Sequence, residues 1–476
     1  MSKRLLLVNP VEDRNLNLSA LASVPQIGLA YVAALTPSDW DVEIVDENIE
    51  CLDFDDADLV GITAYTCNVP RAYQVSQLFR RKGIKTVMGG VHASMMPDEA
   101  AEFVDSVVIG EAESIWQDVL NDFENGRLRN RYVGRRTSLE GLVKPRRNLF
   151  SKKYTFGALV QSARGCPNNC EFCSVTSFNG GAYRQRPIEE VLEEIEELDS
   201  KNIFFADDNI LGHGRQAEER AIRLFRGMIE RSFNKRWMCQ AGIDFATNPD
   251  VLKNAHKAGC FGVLIGFESI EEGSLQAMNK HRNLRMGVRK YKEVIERIHG
   301  HGIGVHGAFI FGSDADTRDV FPRTTEFILN AKVDGTQLTA LTPLPGTRLF
   351  SRLAQEGRLL RTNYPDDWKY YDFLEVTYRP RHMTPDELKE GITQMYKDTT
   401  SRLACTIRAL NSAVQTRDPL KGIITYLGNR KAGELWMKKC QYASNPLPSS
   451  VGGLQPSVPV ANARHSELDE DLVTTG

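Results

Sequence analysis

The sequence lacks a dominant charge, a long apolar run and a disulfide framework. Its 59 Lys and Arg nearly balance 62 Asp and Glu, leaving a net charge of −3. Such a chain has no broad positive field to neutralise phosphates, so nucleic acid is not expected as a partner. No run of about eighteen apolar residues occurs, and the N-terminal MSKRLLLVNP meets Asn9 and Pro10 at once. Neither a membrane span nor a signal peptide is expected. A GxGxxG turn is missing after the first predicted strand, which argues against a dinucleotide. Cysteine is sparse: of nine in 476 residues, six (Cys51, Cys67, Cys239, Cys260, Cys405, Cys440) are scattered and three are crowded. That usage fits a metal site plus core cysteines in a reducing, cytoplasmic setting.

A chain of 476 residues is too long for one ordinary core, so two or three domains are expected. Over the first 125 residues, short β-rich runs (RLLLVN, DVEIVD, ADLVGIT, KTVMGG, SVVIGE) alternate with helical ones such as IGLAYVAAL and SIWQDVLNDFE. This alternation predicts a doubly wound parallel sheet whose ligand crevice lies at the carboxyl ends of the strands. The loops there, ITAYTCN, GGVHAS and GEAE, are rich in glycine and small polar residues. Residues 126–153 carry little periodicity and read as a linker. From Tyr154 to about residue 350 the alternation resumes as six strand–helix units. That is fewer than the eight of a full barrel, so an incomplete parallel barrel is predicted. Residues 351–444 hold an aromatic loop, WKYYDF, and predicted helices around 385–409 and 418–435, expected to cover the barrel's open side. The tail 445–476, rich in Ser, Pro, Gly and acidic residues, is expected to be disordered.

The crowded cysteines stand in RGCPNNCEFCSV as Cys166, Cys170 and Cys173, with no fourth nearby. Structural zinc normally closes a four-ligand shell, and the next candidates, His213 and Cys239, stand alone. Three thiolates suit a four-iron cluster with one iron left open, and Cys166 follows the first barrel strand, where loops carry chemistry. Polar residues end other barrel strands: Asp207, Asp208 and Asn209 in FFADDN, Gln240 in MCQAGID, and Glu268 and Ser269 in GFES. A helix cap for Asn209 and a barrel-mouth salt bridge for Glu268 are the competing structural roles. FIFG at 309–312 serves either an adenine face or the core, and His213 and His306 are weaker candidates.

Cys166-x-x-x-Cys170-x-x-Cys173, with Phe172 before the last cysteine, resembles the radical S-adenosylmethionine (SAM) superfamily. The resemblance implies a 4Fe-4S cluster on the three cysteines. Its open iron would chelate SAM, and one electron from a low-potential donor such as ferredoxin or flavodoxin would split SAM to a 5'-deoxyadenosyl radical. Phe172, Asp207, Asp208, Asn209, Gln240, Glu268 and Ser269 are then the expected SAM-binding residues.

The N-terminal segments NP, PQIGLAYVAAL, ITAYT, GGVHASMMPDEA and VVIGEAES, in that order, resemble the cobalamin-binding domain fused to one class of radical SAM enzymes. An Asp-x-His-x-x-Gly motif, which supplies a cobalt-ligating histidine in other corrinoid proteins, is absent. The expected cobalamin-binding residues are Thr63, Thr66, Gly89, Gly90, His92, Gly110 and Glu111, with His92 the only histidine in the domain. The implied α/β architecture is a Rossmann-like cobalamin-binding domain (1–125), a linker (126–153), a partial (βα)6 radical SAM barrel (154–350), a small helical region (351–444) and a tail (445–476). The implied function is cobalamin-dependent C-methylation of a small-molecule or lipid substrate. A cyclase or oxidoreductase with the same cofactors is the alternative. A methylthiotransferase fits less well, because the N-terminal domain has only Cys51 and Cys67 where a second cluster would need three cysteines. Trp368, Tyr370 and Tyr371 serve either substrate contact or core packing.

Overall fold

The computed structural model describes residues 2–11, 24–53, 57–154 and 156–442. The expected tail, from residue 445 onward, lies outside them.

In the N-terminal domain the runs rich in Val, Ile and Leu form a six-stranded sheet in the spatial order Trp40–Asp46, Lys3–Asn9, Leu59–Thr63, Lys85–Gly89, Ser106–Ile109 and Arg131–Val133. Every neighbouring pair is parallel. The strand Lys3–Asn9 is continuously apolar from Leu5 to Val8 because both its faces are covered. Leu5 and Leu7 pack with the helices Ile27–Leu35 and Trp116–Glu124, and Leu6 and Val8 with the helices Val69–Arg81 and Pro97–Phe103. The order reverses between Lys3–Asn9 and Leu59–Thr63, which places a crevice at their carboxyl ends.

The sixth strand falls inside the segment expected to be a linker. Arg131–Val133 is an edge strand with both outer residues exposed and only Tyr132 buried, so it has no run of apolar residues to announce it. The rest of that segment is also fastened: Arg147 Nε donates to the Leu159 carbonyl at 2.8 Å, and its guanidinium pairs with Glu194.

The second domain is an open barrel of six parallel strands, in the order Ala158–Val160, Asn202–Phe205, Arg236–Ala241, Cys260–Glu268, Gly304–Phe311 and Gly335–Ala340. Alternation sorts their residues, broken in Cys260–Glu268 where Gly262 and Val263 are both buried. Trp237, Cys239, Val263, Ile265, Val305 and Phe309 are buried in the core shared with the surrounding helices. Met238, Gln240, Leu264, His306 and Ala308 are half-buried and face inward. In register, Gln240 lies beside Leu264, Leu264 beside His306, and His306 beside Gly335.

The last strand would present an open edge. Tyr396, on the helix Pro385–Thr400, closes it: its hydroxyl accepts from the Leu338 N–H at 3.2 Å and donates to the Leu338 carbonyl at 3.1 Å. The following helices, Arg402–Thr416 and Pro419–Tyr442, lie along the same side of the barrel and reach the loops that precede its last two strands. They do not cover the mouth.

The aromatic loop also packs elsewhere than over the mouth. Trp368 and Tyr371 are fully buried in the N-terminal domain's core, with Trp368 stacked on Tyr364 at a centroid distance of 3.8 Å. Trp368 Nε1 donates to both carboxylate oxygens of Glu99 at 3.0 Å. These rings belong to the core and clamp the chain after the barrel onto the first domain.

Candidate functional site

The cysteine loop leaves the barrel through a two-stranded ribbon in which Ala163–Arg164 pairs with Arg184–Gln185. Gly165 begins the loop at φ +88°, and a Cβ there would stand 2.2 Å from the Ala182 carbonyl oxygen. Only glycine fits that crossing. Cys170 is buried, Cys166 and Cys173 are half-buried, and all three are free thiols. The loop is then pinned from outside. The Glu171 carboxylate accepts two hydrogen bonds from Arg352 at 2.7 and 3.1 Å, and the Asn169 carbonyl accepts from Arg348 at 2.6 Å. Both arginines sit on the helix Arg348–Gln355, which follows the last barrel strand.

Asp207 and Asp208 set the strand exit from the other side. Asp207, fully buried, accepts from the Ser162 N–H and hydroxyl, each at 2.6 Å, and from the Ala163 N–H at 3.1 Å. Burial pushes its carboxyl up to about 6, against the pull of those hydrogen bonds. Asp208 accepts from the Gly165 N–H at 3.1 Å and lines the large cavity described below. Asn209 is taken up by backbone: its side chain donates to the Gly212 carbonyl at 3.2 Å and accepts from the Leu211 N–H at 3.3 Å and the Gly242 N–H at 3.4 Å. Ser269 is likewise local, accepting from the Glu271 N–H at 3.0 Å.

Glu268 ends its strand at φ +62° and pairs with Lys280. Gly266 makes room for the pair, since a Cβ there would stand 2.4 Å from Glu268 Oε1. Burial opposes the Lys280 charge, but the Glu268 carboxylate holds it well above its ordinary range, and Cys170 and Cys173 lie near enough to add to that. The sequence offered no motif for Lys280; its place depends on the turn that follows the helix Glu272–Ala277. Phe172 packs against the barrel core, and Gln240 faces inward beside Leu264 and His306. Burial, with help from the Arg408 charge, pushes His306 down to about 4, so its ring is neutral at pH 7.

Where the two domains meet, a cavity of about 480 Å³ opens. Its floor is the carboxyl edge of the N-terminal sheet, with Thr63, Gly89, Gly90, Gly110 and Glu111. Its roof comes from the barrel: Gln161, Arg164, Ser174, Val175, Phe178 and Asp208. Five of the seven residues expected to bind cobalamin therefore line one cavity. The other two lie behind it. His92 is fully buried, with Nδ1 3.3 Å from Thr66 Oγ1, Nε2 3.2 Å from Glu99 and its ring against Trp368. Both ring nitrogens are engaged, so His92 presents no free nitrogen to the cavity. Glu111 reaches across the domain boundary, accepting from Arg184 Nη1 at 2.9 Å, with Arg164 3.5 Å away. Arg164 in turn donates to Glu113 at 2.6 Å and lies over the Tyr31 ring.

The residues fit the groups that the sequence implies. Among the described residues no three His, Cys, Asp or Glu side chains close on a point that one metal ion would occupy. The three thiols are nonetheless near enough to raise one another's pKa, beyond the rise from burial, at Cys170 and Cys173. Thiols grouped but not converged suit a multi-iron cluster that takes one thiolate per iron. The cavity also fits a bound cofactor. Gly89, Gly90 and Gly110 leave the sheet edge on its floor without side chains, and the buried Tyr31 hydroxyl, on the cavity wall, has no hydrogen-bond partner among the described residues.

A parallel domain with its crevice facing the mouth of a three-thiol barrel defines a two-cofactor architecture. Residues 160–328 match the model of the radical SAM superfamily, and residues 15–120 that of the B12 binding domain. The chain belongs to the radical SAM superfamily, among its members that carry an N-terminal B12-binding domain. It is 30% identical over 411 residues to bacteriochlorophyllide d C-12(1)-methyltransferase of Chlorobaculum tepidum, covering 83% of this chain and 87% of that one. It is 27% identical over 451 residues to the C-8(2)-methyltransferase of the same organism, covering 90% and 96%. The fold is similar to that of the radical SAM methyltransferase TsrM from Kitasatospora setae, with a TM-score of 0.66 at 16% identity over 93% of this chain and all of that one. That structure contains cobalamin and a [4Fe-4S] cluster.

Proposed function

We propose that this protein is a cobalamin-dependent radical SAM enzyme that methylates an unactivated carbon of a small molecule or lipid. One observation carries the reading: Ser174 and Val175, the two residues after Cys173, form part of the wall of the interdomain cavity. The expected corrinoid site and the cluster loop are thus separated by a single turn of chain. A methyl donor and a radical generator must both reach the same substrate carbon, and this arrangement brings them to one mouth.

Bound there, the cluster, SAM and cobalamin supply a hydrogen-abstracting radical and a transferable methyl group. The chain's own residues hold and shield. Cys166, Cys170 and Cys173 would ligate the cluster, with Lys280 beside two of them. Asp207 and Asp208 fix the exit of the cysteine loop, and Arg352 and Arg348 fix its far side. Thr63, Gly89, Gly90 and Gly110 line the floor on which the corrinoid would lie. Inward residues Met238, Leu264 and Ala308 give the barrel an apolar lining with Gln240 and His306 as its polar points, which suits a largely apolar substrate. Curated relatives point the same way, since they are named for bacteriochlorophyllide and hopanoid methylation. The electron would come from a low-potential donor such as a ferredoxin or flavodoxin.

Anaerobic reconstitution with iron, sulfide and cobalamin tests the reading. Retained corrin absorbance and 5'-deoxyadenosine formation are expected, with a product fourteen mass units heavier than the substrate. Deoxyadenosine without retained corrin would overturn the methyltransferase reading and leave the barrel reading standing. A product of unchanged or lower mass would favour ring closure, the reaction for which a cyclase relative 24% identical to this chain is named. Cys166→Ala, Cys170→Ala and Cys173→Ala should each abolish SAM cleavage.

A further inference from the structure

Eight of the twelve large apolar side chains exposed among the described residues lie on the last two helices. On Arg402–Thr416 they are Leu403, Ile407, Leu410 and Val414, at helical spacings of four, three and four. On Pro419–Tyr442 they are Leu420, Ile423, Ile424 and Leu427. Their exposures run from 45% to 72%, far beyond what scattered surface residues require. The opposite faces of the helices are firmly seated. Arg408 Nε donates to the Val333 carbonyl at 3.0 Å and Asn429 Nδ2 to the Asp334 carbonyl at 2.7 Å. The helices also touch closely, because a Cβ on Gly422 would stand 2.7 Å from the Ala409 carbonyl oxygen. The two stripes therefore form the outer face of a rigid helical hairpin.

Charge identifies what covers this face. Residues 401–442 hold eight Lys and Arg against two Asp and Glu, in a chain whose net charge is −3. Arg408 and Lys421 are buried in the seat, whereas Arg402, Arg417 and Lys438 are exposed on the hairpin. An apolar face flanked by cations is the signature of a helix lying in the headgroup layer of an anionic bilayer. A second copy of the chain would instead bring two positively charged surfaces together. No helix of the described residues is long and apolar enough to cross a membrane. We infer that the hairpin 402–442 docks this enzyme, in the membrane plane, on the surface of an anionic lipid bilayer. The seat lies at the loops before the barrel's last two strands, the end opposite the cysteine loop, so docking leaves the mouth free.

The test uses the full chain, sedimented with vesicles of equimolar phosphatidylcholine and phosphatidylglycerol or of phosphatidylcholine alone. Binding is expected to the anionic vesicles only, with release by high salt. Leu410→Glu with Ile423→Glu should weaken it at least about tenfold, as should Arg402→Glu with Lys438→Glu. Thermal melting and SAM cleavage should stay unchanged. Leu410→Ser with Ile423→Ser provides the same apolar test should the glutamates disturb folding. Failure to bind anionic vesicles would overturn the inference. So would undiminished binding by the folded variants, or a concentration-dependent dimer in sedimentation velocity that Leu410→Glu with Ile423→Glu abolishes.

Discussion

Glu111 of the N-terminal domain and Arg184 of the barrel ribbon form a two-pronged ion pair at the domain boundary, with only 6% and 15% of their side chains exposed. Glu111 lines the interdomain cavity, so the contact that joins the domains also shapes the expected corrinoid site. Removing Arg184 leaves the buried Glu111 carboxylate with Arg164 alone, 3.5 Å away. Arg184→Ala should cost about 3 kcal/mol in urea unfolding and reduce the corrin retained after gel filtration.

Asp207 serves the cysteine loop without touching a cysteine. Asp207→Ala leaves the Ser162 and Ala163 N–H groups without their acceptor, at a cost of about 2 kcal/mol. With the loop's entry loosened, cluster retention measured by iron content should weaken about tenfold. An unchanged iron content would mean that the Arg348 and Arg352 side alone fixes the loop.

Gly90 adopts φ +94° and ψ −173°, a conformation almost confined to glycine. A Cβ there would stand 2.7 Å from Thr63 Oγ1 and 3.1 Å from the Ala64 nitrogen. Gly90→Ala should therefore destabilise the fold by about 2 kcal/mol and lower corrin retention, while SAM cleavage by the reconstituted cluster persists. Visible absorbance of bound corrin and a deoxyadenosine assay on one preparation separate the two effects.

Glu99 ties the C-terminal aromatic clamp to the first domain. Burial alone would raise its pKa, but hydrogen bonds from His92, Trp368 and Tyr73 hold it below the ordinary glutamate range of about 4.3. A lowered folded pKa stabilises the fold above the unfolded pKa, and that stability is lost as pH falls through the folded pKa. Unfolding free energy should decline as pH drops below about 4.5, and Glu99→Gln should flatten that decline. Trp368→Ala, which removes the ring at the centre of the clamp, should cost about 4 kcal/mol in thermal or urea unfolding.

Much of this architecture was legible in local pattern. Strand–helix alternation announced both parallel sheets, because a strand buried on both faces must be continuously apolar, as in Leu5 to Val8. The edge strand Arg131–Val133 was not legible, since a three-residue strand with one buried side chain leaves no period. The loops carrying Thr63, Gly89, Gly90 and Gly110 stood out in the sequence and line the cavity, whereas Lys280, Arg348 and Arg352 carried no motif. For Trp368 and Tyr371 the sequence left substrate contact and core packing open, because nothing local distinguishes a ring packed on a neighbouring domain from one facing a substrate; the fold puts both in the core.

By itself the sequence determined the three-cysteine loop and the order of the two domains, because residue type, spacing and period are properties of neighbouring residues, and its resemblance to a known family implied the chemistry they serve. Tertiary structure decided which polar groups face the cavity and which hold the frame. Glu111 meets Arg184 across 73 positions and Trp368 meets Glu99 across 269. Strand order and side-chain direction bring such pairs together, and neither is written in either residue's local surroundings.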